Sequence, residues 1–333
     1  MVFLIISPVL ALGPAEHVFE PPTFDRWNYG FNTAPGTRGV GSTFSAFGSG
    51  YDFDDRDGQV LLGFETTGPV QPGLPAPSYD VASCTLEVMI SSDDIPYDPT
   101  PDAWQTHLEG GPADADVGRP TMIFGAGFRN GWTAWSFGED GPFGDPMSSG
   151  VRTCHAIDFD ATGAARDVSN NLTLGFEPSF WATGVVDGVA AGDLIPPMST
   201  VTFSLDVSDP DVQCYLRRSL ADGLVDLVIS SLHPASEPGT GGQANYPDWV
   251  LKENPLVDLG AASAASLRIQ VDVVPPSGIG GDVTGDGMVD VEDLLAVLEG
   301  FGRCPCCRAD LDESGVVDVN DLLAVIAGWD GNG

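Results

Sequence analysis

The feature that most constrains the fold is a repeat near the C-terminus of this 333-residue chain. Residues 282–301 (DVTGDGMVDVEDLLAVLEGF) align without gaps with residues 310–329 (DLDESGVVDVNDLLAVIAGW), and 11 of the 20 positions are identical. A duplicated segment predicts two copies of one supersecondary unit that bury their apolar faces together. The repeat therefore predicts a small C-terminal module, residues 282–331, that is distinct from the rest of the chain.

Each copy of the repeat has the spacing of a calcium-binding loop. In an EF-hand-type loop, oxygen ligands fall at positions 1, 3, 5, 7, 9 and 12, and a glycine at position 6 allows the sharp turn. The first copy places there Asp282, Thr284, Asp286, the Met288 carbonyl, Asp290 and Asp293. The second copy places there Asp310, Asp312, Ser314, the Val316 carbonyl, Asp318 and Asp321. Position 6 is Gly287 or Gly315. Because clustered carboxylates repel one another without a cation, the loops predict two Ca²⁺ ions as cofactors.

One short amphipathic helix is predicted after each loop, over residues 291–299 and 319–327. The side chains expected to face inward are Leu294, Leu295, Leu298, Leu322, Leu323 and Ile326. Upstream, residues 275–281 are rich in Pro and Gly and have no apolar period, which is typical of a linker between domains. A complete EF-hand also needs a helix before its loop, and the linker leaves no room for one.

This loop-plus-helix unit, present twice, resembles a dockerin, the calcium-binding module that docks secreted carbohydrate-active proteins onto cohesins. The resemblance covers residues 282–331 and implies the ligand positions given above, with Asp at position 12. It places the partner contacts at Val291, Glu292, Val319 and Asn320, where cellulosomal dockerins often carry a Ser and Thr pair. Because that pair is replaced here, the expected partner is a cohesin-like protein or another extracellular protein.

Residues 16–274 are predicted to form a mainly β domain, a β-sandwich or jelly roll, ahead of the small α-helical module. Short runs of alternating apolar and polar residues are bounded there by Gly, Pro and Asp. The predicted strands are 59–65, 85–90, 121–128, 172–176, 200–207, 224–230 and 267–273. One helix is predicted between an N-cap at Asp209 and a stop at Gly223, with Pro210 at its first position.

The large domain resembles the DNRLRE-type secreted β-sandwich modules, including those of planctomycete-like bacteria. The resemblance rests on residues 57–65 (DGQVLLGFE), 82–90 (ASCTLEVMI) and 224–231 (LVDLVISS). Such modules often accompany dockerins in multidomain extracellular proteins. The resemblance brings no catalytic residues with it.

Charge and the N-terminus bear on partners and compartment. With 48 acidic and 13 basic side chains the formal net charge is −35, which excludes nucleic acid as a partner because phosphate contacts need clustered Lys and Arg. The apolar start, followed by small residues, predicts a signal peptide over residues 1–15, with a buried first strand as the alternative. No other run is long enough for a membrane span. We therefore expect a secreted protein.

The six cysteines fit an oxidising compartment. Three of them lie in residues 303–308 (RCPCCR), and without a nearby His they fall short of the four ligands of a structural zinc site. The favoured interpretation is a Cys304–Cys307 disulfide, with reduced or differently paired thiols as alternatives. Cys214 is interpreted either as a buried apolar residue or as the disulfide partner of Cys84 or Cys154.

The sequence contains no HExxH, GxSxG or phosphate-binding glycine motif. Candidates for a sugar-stacking platform are Trp132, Trp135, Trp181 and Trp249, with core packing as the alternative for each. These observations predict a non-catalytic protein for docking or attachment in polysaccharide-associated assemblies, with polysaccharide as a second expected partner. The alternative is a polysaccharide-degrading hydrolase or lyase, which a groove with two carboxylates roughly 5 to 10 Å apart beside aromatic side chains would indicate.

Overall fold

The computed structural model describes residues 14–236 and 245–329, so the predicted signal peptide lies almost wholly outside the described residues. The strands of the large domain are β1 (Ala15–Phe19), β2 (Phe24–Asn28), β3 (Val40–Ser42), β4 (Gln59–Glu65), β5 (Tyr79–Ile90), β6 (Thr121–Phe128), β7 (Cys154–Phe159), β8 (Ala165–Asp167), β9 (Ala182–Thr183), β10 (Ser199–Ser204), β11 (Leu224–Ser231), β12 (Asp248–Val250) and β13 (Ser266–Val273). Its α-helices are α1 (Ala134–Phe137), α2 (Asn171–Leu174), α3 (Pro210–Asp222) and α4 (Pro255–Asp258). Among the described helices, none has the length and apolar content that crossing a membrane requires.

The strands form two antiparallel sheets, which confirms the mainly β prediction. One sheet has the order β1-β13-β5-β12-β3 with β10 also on β5, and the other has the order β2-β4-β11-β6-β7-β8 with β9 also on β6. Leu62 of β4 and Leu227 of β11 share one buried cluster with Phe203 of β10 and Leu267 of β13. The main hydrophobic core therefore lies between the two sheets.

The seven-stranded sheet is buried on its outer face as well. Leu61, Phe124 and Val228 point away from the main core and join a second buried cluster with Phe137 of α1 and Leu172 of α2. Every residue of β11 is consequently buried. Because both faces of this strand are covered, its apolar residues are not restricted to alternate positions, and its sequence is a nearly continuous apolar run.

Six of the seven strands predicted from local signals are present, and one predicted strand is a clear error. Strands β4 and β6 have the predicted bounds, and α3 begins at the N-cap Asp209, whose carboxylate accepts hydrogen bonds from the two following free N–H groups. The strand predicted over residues 172–176 is wrong, because Asn171–Leu174 is a helical turn. Gly175 ends that turn in the left-handed conformation at φ 64°, which a glycine adopts without strain.

The C-terminal module consists of α5 (Val291–Glu299), a two-residue ladder of β14 (Gly302–Arg303) with β15 (Val316–Val317), and α6 (Val319–Gly328). Its core is built from equivalent positions of the two repeats. The pairs are Val283 with Leu311, Val289 with Val317, and Val297 with Val325. The repeat in the sequence is thus a repeat in the packing.

The faces that α5 and α6 bury differ from the prediction. Val297 and Val325 are fully buried, and Leu294 and Leu322 pack partly against them. The other four predicted inward residues, Leu295, Leu298, Leu323 and Ile326, are exposed. In so small a module each helix has one packing partner, so only a narrow stripe is covered and the rest of the apolar surface faces solvent.

The module is fastened to the large domain at several points. The structure pairs Cys306 with Cys214 of α3 in a disulfide of S–S length 1.97 Å. Arg303 forms a two-bond ion pair with Asp211 at the start of the same helix. Arg308 donates to the Val274 carbonyl at 3.1 Å. The Pro and Gly composition of the linker predicts few contacts across this boundary, and the structure has many.

The cysteine pairing is part of this junction. The structure joins Cys304 to Cys307, the pairing favoured from the sequence. Cys214 is buried, as one of its two interpretations predicts, whereas the alternative pairing with Cys84 or Cys154 is wrong. Cys84 is buried in the core between the sheets and Cys154 in the cluster on the outer face, and both are free thiols. Cys214 lies instead on the side of α3 that meets the C-terminal module.

Candidate metal centres

The second loop brings three of its predicted ligands together. Asp310, Asp312 and Asp321 each contribute a carboxylate oxygen, and these oxygens lie within 4.8 Å of one another. Oxygens this close can all reach one Ca²⁺ ion, which binds carboxylates at about 2.3–2.6 Å. Burial raises the pKa of Asp310, and the charges of Asp321 and Asp312 raise it further. The chemistry of the loop therefore fits a hard divalent cation.

The first loop has the same turn and the same number of aspartates, but they are placed differently. Asp282, at position 1, accepts hydrogen bonds from the N–H groups of Gly285 at 2.6 Å and Gly287 at 2.8 Å. Thr284 takes position 3, where the second loop has an aspartate. Among the described residues of this loop, no three acidic side chains meet as closely as those of the second loop.

The aspartate at position 12 of each loop connects the loop backbone to the start of the following helix through hydrogen bonds. Asp293 is fully buried and accepts from the N–H groups of Val283 at 2.8 Å and Thr284 at 2.9 Å through Oδ1, and from Asp290 at 2.9 Å through Oδ2. The buried Asp321 makes the equivalent three bonds in the second loop. A carboxylate has about four acceptor sites, so these three bonds leave about one site, on Oδ2, for a cation.

The remaining predicted ligands have local partners. Asp290 and Asp318 are the N-caps of α5 and α6. The Asp286 carboxylate accepts from the Met288 N–H at 2.9 Å. In the second loop, the Ser314 hydroxyl donates to the Val316 carbonyl at 2.9 Å. These bonds fix the loop backbone around the position-1 and position-12 carboxylates.

The two helices expose matching apolar side chains, which we call the apolar helix face. It comprises Val291, Leu295, Leu298, Val319, Leu323 and Ile326. They stand at positions i, i+4 and i+7 of each helix and therefore form one stripe per helix. Glu292 and Asn320, the other implied partner contacts, are exposed beside these stripes.

The large domain carries a cleft of about 360 Å³ beside the C-terminal end of α3. Trp132 and Trp135 line it together with Tyr215, Asp222 and Asp226. The other two tryptophan candidates, Trp181 and Trp249, are buried in the main core, so they form no sugar-stacking platform.

Asp226 is the buried acid of this cleft. The Tyr215 hydroxyl lies 3.3 Å from its Oδ2 and donates to its backbone carbonyl at 2.7 Å. Burial is the main cause that raises the pKa of Asp226 to about 7, while Asp222 is exposed. Sequence reasoning missed this residue, although a lone Asp in an otherwise apolar buried strand was a usable signal.

No protein-family model matches the chain, and no curated protein matches its sequence. A function must therefore be argued from the residues of this chain.

Proposed function

We propose that the chain is an exported, non-catalytic attachment protein whose calcium-loaded C-terminal module docks onto another extracellular protein. The observation that carries this proposal is the apolar helix face. Leu295 and Leu323 are 52% and 55% exposed, and equivalent residues flank both. Soluble proteins expose contiguous apolar patches mainly where something binds.

The partner that best fits the apolar helix face is a protein whose binding surface has an apolar centre and a basic rim. Glu292 and Glu299 are exposed at the two ends of α5, beside the apolar helix face. The whole chain carries a formal charge of −35, so a basic partner is attracted at long range. A second copy of this chain would be repelled by the same charge. The resemblance to dockerins makes a cohesin-like protein the first partner to test.

Calcium has a positional role in this proposal. The ligand at position 12 of each loop also caps the helix that follows, through Asp293 for α5 and Asp321 for α6. An ion held at these carboxylates would fix each loop to the start of its helix. The apolar helix face would then be presented to the partner in one arrangement.

Docking can be tested by placing charge on the apolar helix face. Leu295→Glu together with Leu323→Glu should weaken binding to an immobilised panel of cohesin domains by at least about 100-fold, because central apolar anchors dominate such interfaces. Surface plasmon resonance in calcium measures the change. Leu259→Glu is the matched control, since Leu259 is an exposed leucine of the large domain. An affinity unchanged by the double substitution, or no binding to any cohesin domain, would contradict the proposed docking.

The cleft beside α3 favours a second candidate function, contact with a polysaccharide. Trp135 is half exposed and its indole N–H donates to the Asp222 carbonyl at 3.1 Å, which fixes the ring at the cleft. A fixed exposed ring is suited to stacking on a sugar. The carboxyl groups of Asp222 and Asp226 also make the cleft the place where a degrading enzyme would have its acid and base.

We expect binding in this cleft without cleavage. Trp135→Ala should weaken binding of the preferred member of a polysaccharide panel by about tenfold, equivalent to about 1.4 kcal/mol. Isothermal titration calorimetry measures the affinity, with Leu174→Ala as a control at an exposed apolar residue elsewhere on the domain. A reducing-end assay runs in parallel. Release of reducing ends that Asp226→Asn abolishes would establish the enzyme alternative instead.

A further inference from the structure

A long loop of the β-sandwich, between β5 and β6, gathers a separate set of acids. Asp98, Asp102 and Asp116 each place a carboxylate oxygen within 4.8 Å of the others. Asp114 adds a fourth charge, and it helps to raise the pKa of Asp102. Residues 98 and 116 are distant in sequence, so the folded loop, not a local motif, brings these groups together.

Two of these carboxylates are buried without sufficient partners. Asp98 is 4% exposed and Asp102 is 8% exposed. The Oδ2 atom of each is inaccessible to solvent and has no hydrogen-bond partner among the described residues. Buried unpaired carboxylates are costly unless a cation compensates them.

Arg119 is close enough to act electrostatically on Asp102, but no Lys or Arg side chain in the described part of the protein forms an ion pair with this cluster. No Lys or Arg lies within 4.0 Å of these four carboxylates. His107 Nε2 is 3.9 Å from Asp102 Oδ2, and Arg119 contacts the Nδ1 atom of the same ring. Since Arg119 donates to Nδ1 of that ring, Nε2 carries the hydrogen and faces Asp102 as a neutral donor.

The Thr100 hydroxyl lies between two of these carboxylates. Its Oγ1 lies 2.7 Å from Asp98 Oδ1 and 2.5 Å from Asp116 Oδ2. A hydroxyl has one hydrogen, so it can donate to only one of these carboxylates. The other contact leaves two oxygen lone pairs facing each other, which a bound cation would relieve.

A second acidic cluster of the same protein differs from this one because it includes a lysine. Asp25, Glu139 and Glu253 also lie within 4.8 Å, but Lys252, the only lysine of the chain, is among them. Its Nζ pairs with Glu139, lies 3.7 Å from Glu253 and donates to the Thr23 carbonyl at 2.7 Å. That cluster has its own ammonium group and needs no ion.

We propose that Asp98, Asp102 and Asp116 bind a Ca²⁺ ion that joins the first part of this loop, residues 98–102, to its later part at Asp116, with the Thr100 hydroxyl as a further ligand. Carboxylate and hydroxyl oxygens are hard ligands that suit Ca²⁺. The start of the loop is already held to the domain, because Tyr97 N–H donates to the Asp193 carbonyl at 2.8 Å. This site is independent of the two loops of the C-terminal module.

The proposal is tested by counting ions with native mass spectrometry on the full chain equilibrated with CaCl₂. The wild type should hold three Ca²⁺ ions, and the double variant Asp98→Asn with Asp102→Asn should hold two. Asp93→Asn, at an exposed carboxylate of the same loop, is the control and should retain three. A wild type that holds two ions or fewer, with both held in the repeat loops, would overturn the proposal.

A second variant keeps the test decisive if the first does not fold. Asp293→Ala with Asp321→Ala removes the position-12 ligands from both repeat loops and should leave one bound ion. A single remaining ion supports the site of Asp98, Asp102 and Asp116 even if the docking proposal fails. Complete loss of calcium in this variant would overturn that site, and the repeat loops would remain candidate calcium sites.

Discussion

Removal of calcium from the full-length protein should unfold residues 282–329 while the two sheets of the large domain stay folded. The module has only six fully packed apolar residues in its core, and domains of about 50 residues are rarely stable on such a core alone. Its two loops carry eight aspartates, which repel one another without a cation. We therefore expect calcium binding to supply much of the free energy of folding of this module.

Hydrogen–deuterium exchange with and without chelator measures this effect. Protection of the amides of α5 and α6 should fall by orders of magnitude on chelation, whereas the amides of β5 and β13 should not change. Asp293→Ala should reproduce the effect of chelation in the first repeat, and Thr284→Ala should have a smaller effect because it removes only a neutral hydroxyl. Equal protection of α5 and α6 in both conditions would show that the fold of the module does not depend on calcium.

Breaking the buried ion pair of Arg152 and Asp54 should be the most destabilising single change in the large domain. Arg152 is fully buried, its Nε donates to Asp54 Oδ2 at 2.5 Å, and its Nη2 donates to the Arg56 and Asp57 carbonyls at 3.1 and 2.9 Å. Asp54→Ala would leave this buried guanidinium with only the more distant Asp57, whose Oδ1 is 3.7 Å from Nη2, as a charge partner. The expected loss is about 3–5 kcal/mol of unfolding free energy.

Urea unfolding followed by tryptophan fluorescence measures this loss. Asp187→Ala, at an exposed aspartate, is the control and should leave the unfolding free energy unchanged. Replacing both partners, Asp54→Leu with Arg152→Met, should cost less than Asp54→Ala, since the guanidinium is then no longer buried without its hydrogen-bonded carboxylate. If Asp54→Ala were no more destabilising than Asp187→Ala, the pair would have no net role in stability.

The same pair predicts a pH dependence. Burial alone would raise the pKa of Asp54, but Arg152 and the Gly150 N–H outweigh it, so the folded pKa lies below the ordinary value of 3.8. The contribution of the pair is thus present above that ordinary value and is lost as the pH falls through the lower, folded value. The unfolding free energy of wild type and Asp54→Ala should therefore converge at low pH.

Local sequence signals were sufficient to predict the end of a helix wherever a single residue determines that end. Asp209 and Gly223 delimit α3 as predicted, and α5 has its predicted bounds because a loop carboxylate caps it. Features that depend on distant contacts were not predictable from sequence. The Cys214–Cys306 bond joins residues 92 apart, and no spacing rule selects it over Cys84 or Cys154. The exposure of Leu295 depends on how few elements pack against α5.

The disulfide between α3 and the C-terminal module determines how a mechanical load would travel through the protein. A partner that pulls on α5 and α6 also pulls on Cys306, which lies between them in the chain and is covalently joined to Cys214. Under such a load the linker, residues 275–281, cannot extend fully, because the disulfide limits the distance between the module and α3. Tension would pass through α3 into the two sheets, so an attachment under shear flow would be held by the most buried part of the molecule.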